Sequence, residues 1–119
     1  MKIAIVGSRN WKHMDFSCDI ICDLLHGREN EENFYIISGG AIGIDTQAEI
    51  LAKKYHIETI IIKPEWNKYG KSAGFIRNKL IINEADYIIA FWDGKSKGTK
   101  HDIDLAIESK KPIDIYIRN

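Results

Sequence analysis

The sequence predicts one α/β domain over residues 1–119, with a five-stranded, mainly parallel sheet flanked by helices. Three observations predict it. Short apolar runs rich in isoleucine alternate with longer amphipathic segments, which is the pattern of β–α–β units around a parallel sheet. The runs are almost continuously apolar, as expected of strands that are covered on both faces. The length of 119 residues suits one domain, and no change of composition marks an internal boundary.

The first half of the chain predicts three strands and two helices. Residues 2–6 form the first strand, because they are mostly apolar and end at a glycine. Residues 15–26 form the first helix, since their apolar side chains recur at helical spacing and a glycine follows them. A second strand at 34–37 then leads to a helix at 44–55, and a third strand follows at 57–62.

The second half continues the same alternation. Residues 72–83 form the third helix, and the wholly apolar run that follows is the fourth strand, at 87–92. Residues 99–110 form the last helix, which ends before Pro112, and 113–117 form the fifth strand. Five strands and four helices in strict order are typical of a doubly wound, Rossmann-like fold.

The charge balance predicts a small anionic ligand. Seventeen basic residues match seventeen acidic ones, so the formal net charge is zero. A protein that DNA attracts through its overall field normally has a basic excess. Nucleic acid is therefore not expected as a partner.

Cys18 and Cys22 lie four residues apart in the first predicted helix. Together with His26 they have the spacing of metal ligands, but the favoured interpretation is a pair of packed thiols and a solvated histidine. No metal and no cofactor is predicted. The first residues do not read as a secretion signal, and no apolar run reaches the roughly 20 residues that a membrane span needs. A cytoplasmic protein with reduced thiols and no membrane partner is expected.

The loops after the first two strands have the composition of a phosphate site. Ligands of open parallel sheets bind outside the carboxyl ends of the strands. After the first strand come Gly7, Ser8 and Arg9. The glycine lets a ligand approach the backbone closely, the serine offers a hydroxyl, and the arginine offers a planar cation for a phosphate. The alternative is a simple turn with a solvated arginine.

The segment after the second strand is richer in glycine. It contains Ser38, Gly39, Gly40 and Gly43 and opens a helix, so backbone N–H groups and a helix N-terminus face the same edge. Asp45 follows them, either to hold a ribose hydroxyl or to favour the helix dipole. Both interpretations stay open.

Two later loops add aromatic and cationic side chains. Trp66 and Tyr69 precede Arg77, so a base could stack there near a phosphate, although packing is the favoured interpretation of Tyr69. Before the last helix, Gly98 and Thr99 offer donors at a helix N-terminus, with an ordinary N-cap as the alternative.

Four segments resemble, in order along the chain, the YspA-like branch of the SLOG superfamily, which joins DprA-type and LOG-type proteins. They are residues 6–11, 38–45, 73–78 and 90–99, so the resemblance covers essentially the whole chain. It implies a pocket for nucleotides or for NAD- and ADP-ribose-like molecules. The binding set that it implies is Gly7, Ser8, Arg9, Gly39, Gly40, Gly43, Asp45, Arg77, Asn78, Gly98 and Thr99. The aromatic side chains added to this set as walls for a base are Trp11, Trp66 and Trp92.

Three functions are open on this basis. The favoured one is a module that senses or sequesters a phosphorylated, nucleotide-derived small molecule, such as an ADP-ribose-type or cyclic nucleotide signal, as phage sponges against host immune signalling do. The second is a LOG-like N-glycosidic hydrolase, with Arg77 and Asp102 similar in place to that family's catalytic arginine and glutamate. The third is a DprA-like binder of single-stranded DNA, which the zero net charge disfavours. The resemblance also implies a homo-oligomer, either a dimer or a larger assembly.

Overall fold

A computed structural model describes residues 1–119, and it has the predicted alternation of strands and helices. The strands are β1 (Lys2–Gly7), β2 (Tyr35–Ser38), β3 (Glu58–Ile61), β4 (Tyr87–Trp92) and β5 (Ile113–Ile117). The helices are α1 (Met14–Leu25), α2 (Ile44–Lys54), α3 (Trp66–Tyr69), α4 (Ala73–Glu84) and α5 (Lys97–Glu108). The predicted strands and the four predicted helices agree with these bounds to within two residues.

All five strands are parallel and lie in the order β3-β2-β1-β4-β5. The chain moves outwards from β1 to β3 and then returns to place β4 on the other side of β1. The crossover direction therefore changes between β1 and β4. In open parallel sheets this is where a crevice forms at the carboxyl ends of the strands. The predicted α/β class with helices on both faces is confirmed.

Alternating side chains of β1 enter two separate cores. Ile3 and Ile5 pack with α1 and α2 on one face of the sheet, whereas Ala4 and Val6 pack with α4 and α5 on the other. This follows from the two-residue period of a strand. It also explains why the strand sequence is apolar throughout.

Two elements differ from the prediction. The segment expected to be a loop before the third helix contains α3 and a 3-10 turn at Gly70–Ser72. Helix α5 begins two residues early, because Ser96 is its N-cap residue and its Oγ accepts a bond from the backbone N–H of Thr99 at 3.5 Å. The alternative in which Thr99 is the N-cap is therefore wrong.

The two ends of the chain lie at opposite edges of the sheet. Lys2 begins β1 at the amino edge, whereas Arg118 follows β5 and donates its backbone N–H to the carbonyl of Trp92 at 3.0 Å. His13 Nε2 lies 2.8 Å from the carbonyl oxygen of Asn119, next to the carboxyl ends of the strands. None of the helices has the length and apolar character needed to cross a bilayer.

Candidate functional site

A cavity of about 620 Å³ opens at the carboxyl edge of the sheet, between the loops that follow β1, β2, β3 and β4. This volume lies within the range of about 300–1,000 Å³ that is usual for small-ligand sites. The sequence-predicted residues that line it are Gly7, Arg9, Asp45, Trp66, Arg77, Asn78, Gly98, Thr99 and Asp102. The fold thus brings residues from all four predicted loops to one place.

Two tryptophans predicted as walls for a base do not line the cavity. Trp11 is only 4% exposed and packs in the core against Phe91, with ring centroids 5.6 Å apart. Its indole N–H donates to Ser17 Oγ at 3.2 Å, which holds the ring inside. Trp92 packs against the core on the other face and donates to the carbonyl of Ser96 at 3.0 Å. The assignment of Trp11 as a ligand wall is wrong.

The two predicted serines are buried beneath the loops. Ser8 Oγ accepts the backbone N–H of Asp93 at 3.1 Å and lies 3.4 Å from Thr99 Oγ1, so it ties the β1 loop to the β4 loop. Ser38 Oγ donates to Glu49 Oε2 at 2.6 Å and accepts the backbone N–H of Gly40 at 3.2 Å. Both hydroxyls hold the turns rather than face the cavity.

At two of the predicted glycines, neighbouring atoms lie so close to the backbone that a side chain would not fit. A Cβ on Gly39 would lie 2.5 Å from Arg77 Nη1 and 2.9 Å from Asp45 Oδ2, so glycine lets these two side chains approach the turn. Gly43 has φ +86°, and its Cβ would lie 2.8 Å from the carbonyl oxygen of Arg9. The predicted Gly40 lies in the same turn, outside the cavity lining.

Arg77 joins the turn after β2 to helix α4. Its Nη1 donates to the carbonyl of Gly39 at 2.6 Å, and its Nε donates to Asn78 Oδ1 at 3.0 Å. Asn78 Nδ2 in turn lies 3.1 Å from His101 Nδ1 on α5. These contacts hold the half-buried guanidinium group of Arg77 at the cavity wall. Burial lowers the pKa of His101.

Asp45 is buried in the first turn of α2. Its Oδ2 accepts the backbone N–H of Ala41 at 3.1 Å. Burial raises its pKa to about 6, although the Ala41 N–H and the Arg77 guanidinium both act to lower it. The carboxyl therefore supports the turn and lines the cavity at the same time.

Asp102 has no hydrogen-bonding partner within the chain. The residue is 7% exposed, and its Oδ1 is fully buried. Burial raises its pKa to about 8; Arg77 opposes this shift, and Asp45 adds to it. Asp102 is thus mostly protonated at neutral pH and presents a polar group at the cavity wall.

Exposed cations surround the cavity mouth. We refer to Arg9, Lys71, Lys95 and Lys97 as the cationic rim; all four are exposed and line the cavity. Asp93 lies among them, but its Oδ1 accepts the backbone N–H groups of Lys95 and Ser96 at 2.8 and 2.7 Å. Burial alone would raise the pKa of Asp93, and these bonds outweigh that effect and lower it.

Acidic residues gather at the opposite edge of the sheet. A smaller cavity of about 190 Å³ there, beside the starts of β2 and β3, is lined by Glu29, Glu31, Glu32 and Glu58. The cations that line the large cavity and the glutamates that line the small one, with Arg28 among them, therefore lie at opposite edges, and the net charge of zero does not show this local difference.

Sequence reasoning left Lys95 and Lys97 out of the predicted site. The sequence does indicate a role for them, because both lysines follow the end of a strand, where ligands of parallel sheets bind. The loop was open to interpretation as an ordinary lysine-rich surface segment. Only the fold shows that it lies next to Arg9 and Lys71.

Comparison with known proteins relates the chain to a family of DNA recombination mediators. A family model described as DNA recombination-mediator protein A matches residues 1–72, more than half of the chain. The Gene 61 protein of Mycobacterium phage D29 is 32% identical over 118 residues, which cover 94% of this chain and 93% of that protein.

Solved structures share the fold. DNA processing protein A from Helicobacter pylori, whose structure was analysed for its single-stranded DNA binding mode, has a TM-score of 0.75 at 23% identity over 97% of this chain. Its counterpart from Streptococcus pneumoniae has a TM-score of 0.75 at 24% identity over 96% of this chain. The molybdenum cofactor carrier protein of Chlamydomonas reinhardtii has a TM-score of 0.70 at 17% identity, with 96% of this chain and 75% of that one covered. The chain spans 64% and 49% of the two DNA processing proteins.

The prediction that nucleic acid is not a partner is wrong. The match to a family of DNA recombination mediators contradicts it. Its physical premise was the net charge of the whole chain. The field that a ligand meets is local, and at the cavity mouth that field comes from the cationic rim.

Proposed function

Because the chain belongs to the DNA recombination-mediator protein A family, we propose that it binds single-stranded DNA across the mouth of the cavity. The observation that carries this proposal is the cationic rim at the carboxyl edge of the sheet. The family and the fold place the chain in the SLOG superfamily. Its assignment to the YspA-like branch, its cytoplasmic location and its oligomeric state stay predictions.

The rim supplies contacts for phosphates. Arg9 offers a planar fork, and the lysines offer compact positive charges. The backbone N–H groups of Lys97 and Gly98, at the N-terminus of α5, have no partner within the chain and lie beside the same opening. A phosphodiester chain that crosses the opening would meet cations from three separate loops.

The cavity wall supplies contacts for bases. Trp66 and Phe75 are 52% and 55% exposed and line the same cavity as the rim. Proteins that bind single strands combine a positive groove with aromatic platforms, because every base has a face that can stack. The site has both components within one opening.

Binding of a fluorescent 12-nucleotide thymidine oligomer, measured by anisotropy across a salt series, tests the proposal. We expect the logarithm of the affinity to fall linearly with the logarithm of salt, with a slope of about −0.7 for each phosphate contact. Lys97→Ala should flatten this slope by about one contact. Trp66→Ala should weaken binding by about 1–3 kcal/mol without changing the slope.

Lys53→Ala is the matched control. This lysine is exposed in the last turn of α2 and lies outside the cavity lining. Its loss removes the same charge from the chain without touching the rim. If Lys53→Ala and Lys97→Ala weaken binding equally, or if the oligomer does not bind at low salt, the rim is not the binding surface.

The cavity volume of about 620 Å³ favours a second candidate, a nucleotide-derived small molecule. We propose ADP-ribose-type molecules as the ligands to test, with hydrolysis of their N-glycosidic bond by water at Arg77 and Asp102 as the reaction. Incubation followed by chromatography of the released ligand distinguishes the cases. Intact ligand indicates binding alone, whereas free adenine together with the remaining ribose–diphosphate–ribose fragment indicates that water has cleaved the N-glycosidic bond.

A further inference from the structure

Helix α1 carries both cysteines of the chain, Cys18 and Cys22, which we refer to as the thiol pair. Residues four apart on an α-helix lie one above the other on the same face. The two Sγ atoms lie 3.7 Å apart, whereas a disulfide would hold them at about 2.0 Å, so both are free thiols. Neither residue lines the cavity at the carboxyl edge. The pair is therefore a separate cluster of reactive groups.

The separation of the two sulfur atoms matches two corners of a zinc site. Zinc binds thiolate sulfur at about 2.3 Å in a tetrahedral arrangement, which places two such ligands about 3.8 Å apart. Both side chains are half-buried and pack against the core on the α1 face of the sheet. Their conformational freedom is thus already reduced, and one ion could bind with little rearrangement.

The charged groups beside the pair explain why it stays protonated without an ion. The pKa of Cys18 is raised by its contact with the Cys22 thiol, by burial and by the negative charge of Asp19, whereas Lys54 of α2 lowers it. A divalent cation reverses this preference, because a thiol that coordinates such an ion loses its proton. Asp19 and Asp23 are exposed beside the two cysteines in sequence, and their charges favour the approach of a cation.

The surroundings of the thiol pair leave part of a bound ion's coordination open. Tyr55 follows α2, and its contact with Cys22 raises the pKa of its hydroxyl group. The ring of His26 meets that of Tyr55 edge-on, with centroids 6.4 Å apart. No third histidine, cysteine or carboxylate converges on the two sulfur atoms. An ion held by the pair would therefore keep positions for water.

We propose that Cys18 and Cys22 bind one soft divalent cation of the zinc group through two thiolates, with water in the remaining positions. Thiolates select such ions over magnesium and calcium, which prefer oxygen ligands. Structural zinc sites have four protein ligands, so a site with two is exchangeable. The inference does not depend on the proposed binding of single-stranded DNA, because the thiol pair lies outside the cavity.

Titration of the reduced protein with Cd²⁺ in the absence of oxygen tests the inference. Cadmium is a soft ion of the same group, and its bonds to thiolates absorb in the ultraviolet through charge transfer. We expect this absorption to saturate at one cadmium per chain, to disappear when Zn²⁺ displaces the cadmium, and to persist in excess Mg²⁺. Absence of the absorption in the unmodified protein, or its loss in excess Mg²⁺, overturns the inference.

Cys22→Ser combined with Asp23→Cys is the matched control. This variant keeps two thiols in α1 but places them five residues apart, about 140° around the helix, so they no longer share a face. Residue 23 is exposed, and circular dichroism checks that the helix content is unchanged. We expect the half-saturating Cd²⁺ concentration to rise at least about tenfold. Equal affinity in the two proteins overturns the inference, because the position of the thiols would then not matter.

Discussion

Two buried carboxyl groups, Asp45 and Asp102, give the cavity its chemical character. Both have a raised pKa because burial disfavours the charged form, and Arg77 offsets this only in part. The cavity therefore becomes more negative as the pH rises through the pKa values of these two groups. A ligand that hydrogen-bonds to Asp102 replaces contacts that the fold itself leaves unmade.

Asp102 should make folding stability depend on pH. Its pKa is about 8 in the fold, against 3.8 for a free aspartate side chain, so the folded state holds a proton that the unfolded state has lost. Stability is then highest below the unfolded pKa and falls as the pH rises towards 8. Between pH 6 and pH 8 the free energy of unfolding should drop by about 2–3 kcal/mol. Urea unfolding at pH 6, 7 and 8 measures this.

Asp102→Asn removes that titration, so its unfolding free energy should vary little over the same interval. Asp45 titrates mainly below this interval, with a pKa of about 6, so it contributes little to the difference. Parallel pH curves for the two proteins would show that Asp102 is already ionised, or exposed, at neutral pH.

The strand-to-helix turns determine which side chains reach the cavity. The turn before α2 depends on Gly43, whose positive φ brings it against the backbone of the β1 loop. The start of α5 depends on Ser96 and on the bonds that Asp93 accepts. Both turns hold backbone N–H groups and side chains at the carboxyl edge.

Gly43→Ala should destabilise the fold more than the same change at a glycine with free space. A Cβ on residue 43 would lie 2.8 Å from the carbonyl oxygen of Arg9. That oxygen belongs to the backbone, so it cannot rotate away as the end of a flexible side chain could. We expect a loss of about 2–4 kcal/mol in unfolding free energy. Gly27→Ala is the control: its φ is +80°, but nothing lies within 4 Å of the added Cβ. It should cost about 1 kcal/mol. Equal losses would mean that the β1 loop can move aside.

The sequence predicts the strands well because each is an apolar run that needs no partner to be recognised. It misses α3, since this helix is only four residues long and lies between Pro64 and Gly70, which indicate a loop. It places Trp11 at the ligand because Arg9 is close in sequence. The chain turns between them, with the N–H of Trp11 donating to the carbonyl of Ser8 at 3.3 Å, and the ring enters the core. Such a reversal depends on tertiary packing.

The two cavities at opposite edges of the sheet differ in the charges of the residues that line them. The cationic rim lies at the carboxyl edge and the glutamates at the amino edge, in a molecule that measures 39 × 31 × 28 Å. Screening in 0.1 M salt acts over about 10 Å. The affinity for a ligand at one edge should therefore depend little on the charges at the other edge.

Paired charge variants test this separation. Lys95→Gln with Lys97→Gln changes the net charge by −2, and Glu31→Gln with Glu32→Gln changes it by +2. If only local charge matters, the lysine pair should weaken binding of a thymidine oligomer at 0.1 M salt by about tenfold or more, and the glutamate pair should change it by less than about twofold. If loss of the two glutamates strengthens binding as much as loss of the two lysines weakens it, the net charge of the chain and not the local charge determines the affinity.

The position of the last residues bears on how the protein can be handled. Arg118 and Asn119 lie beside the loop after β4, next to the cavity mouth, whereas the first residues leave from the amino edge. A fluorophore on the side chain of residue 119 would lie beside Gly94, next to Lys95 of the cationic rim, and on the proposed function it would compete with an incoming strand. The same group on the side chain of Met1, at the amino edge, would leave the entrance open to the solution.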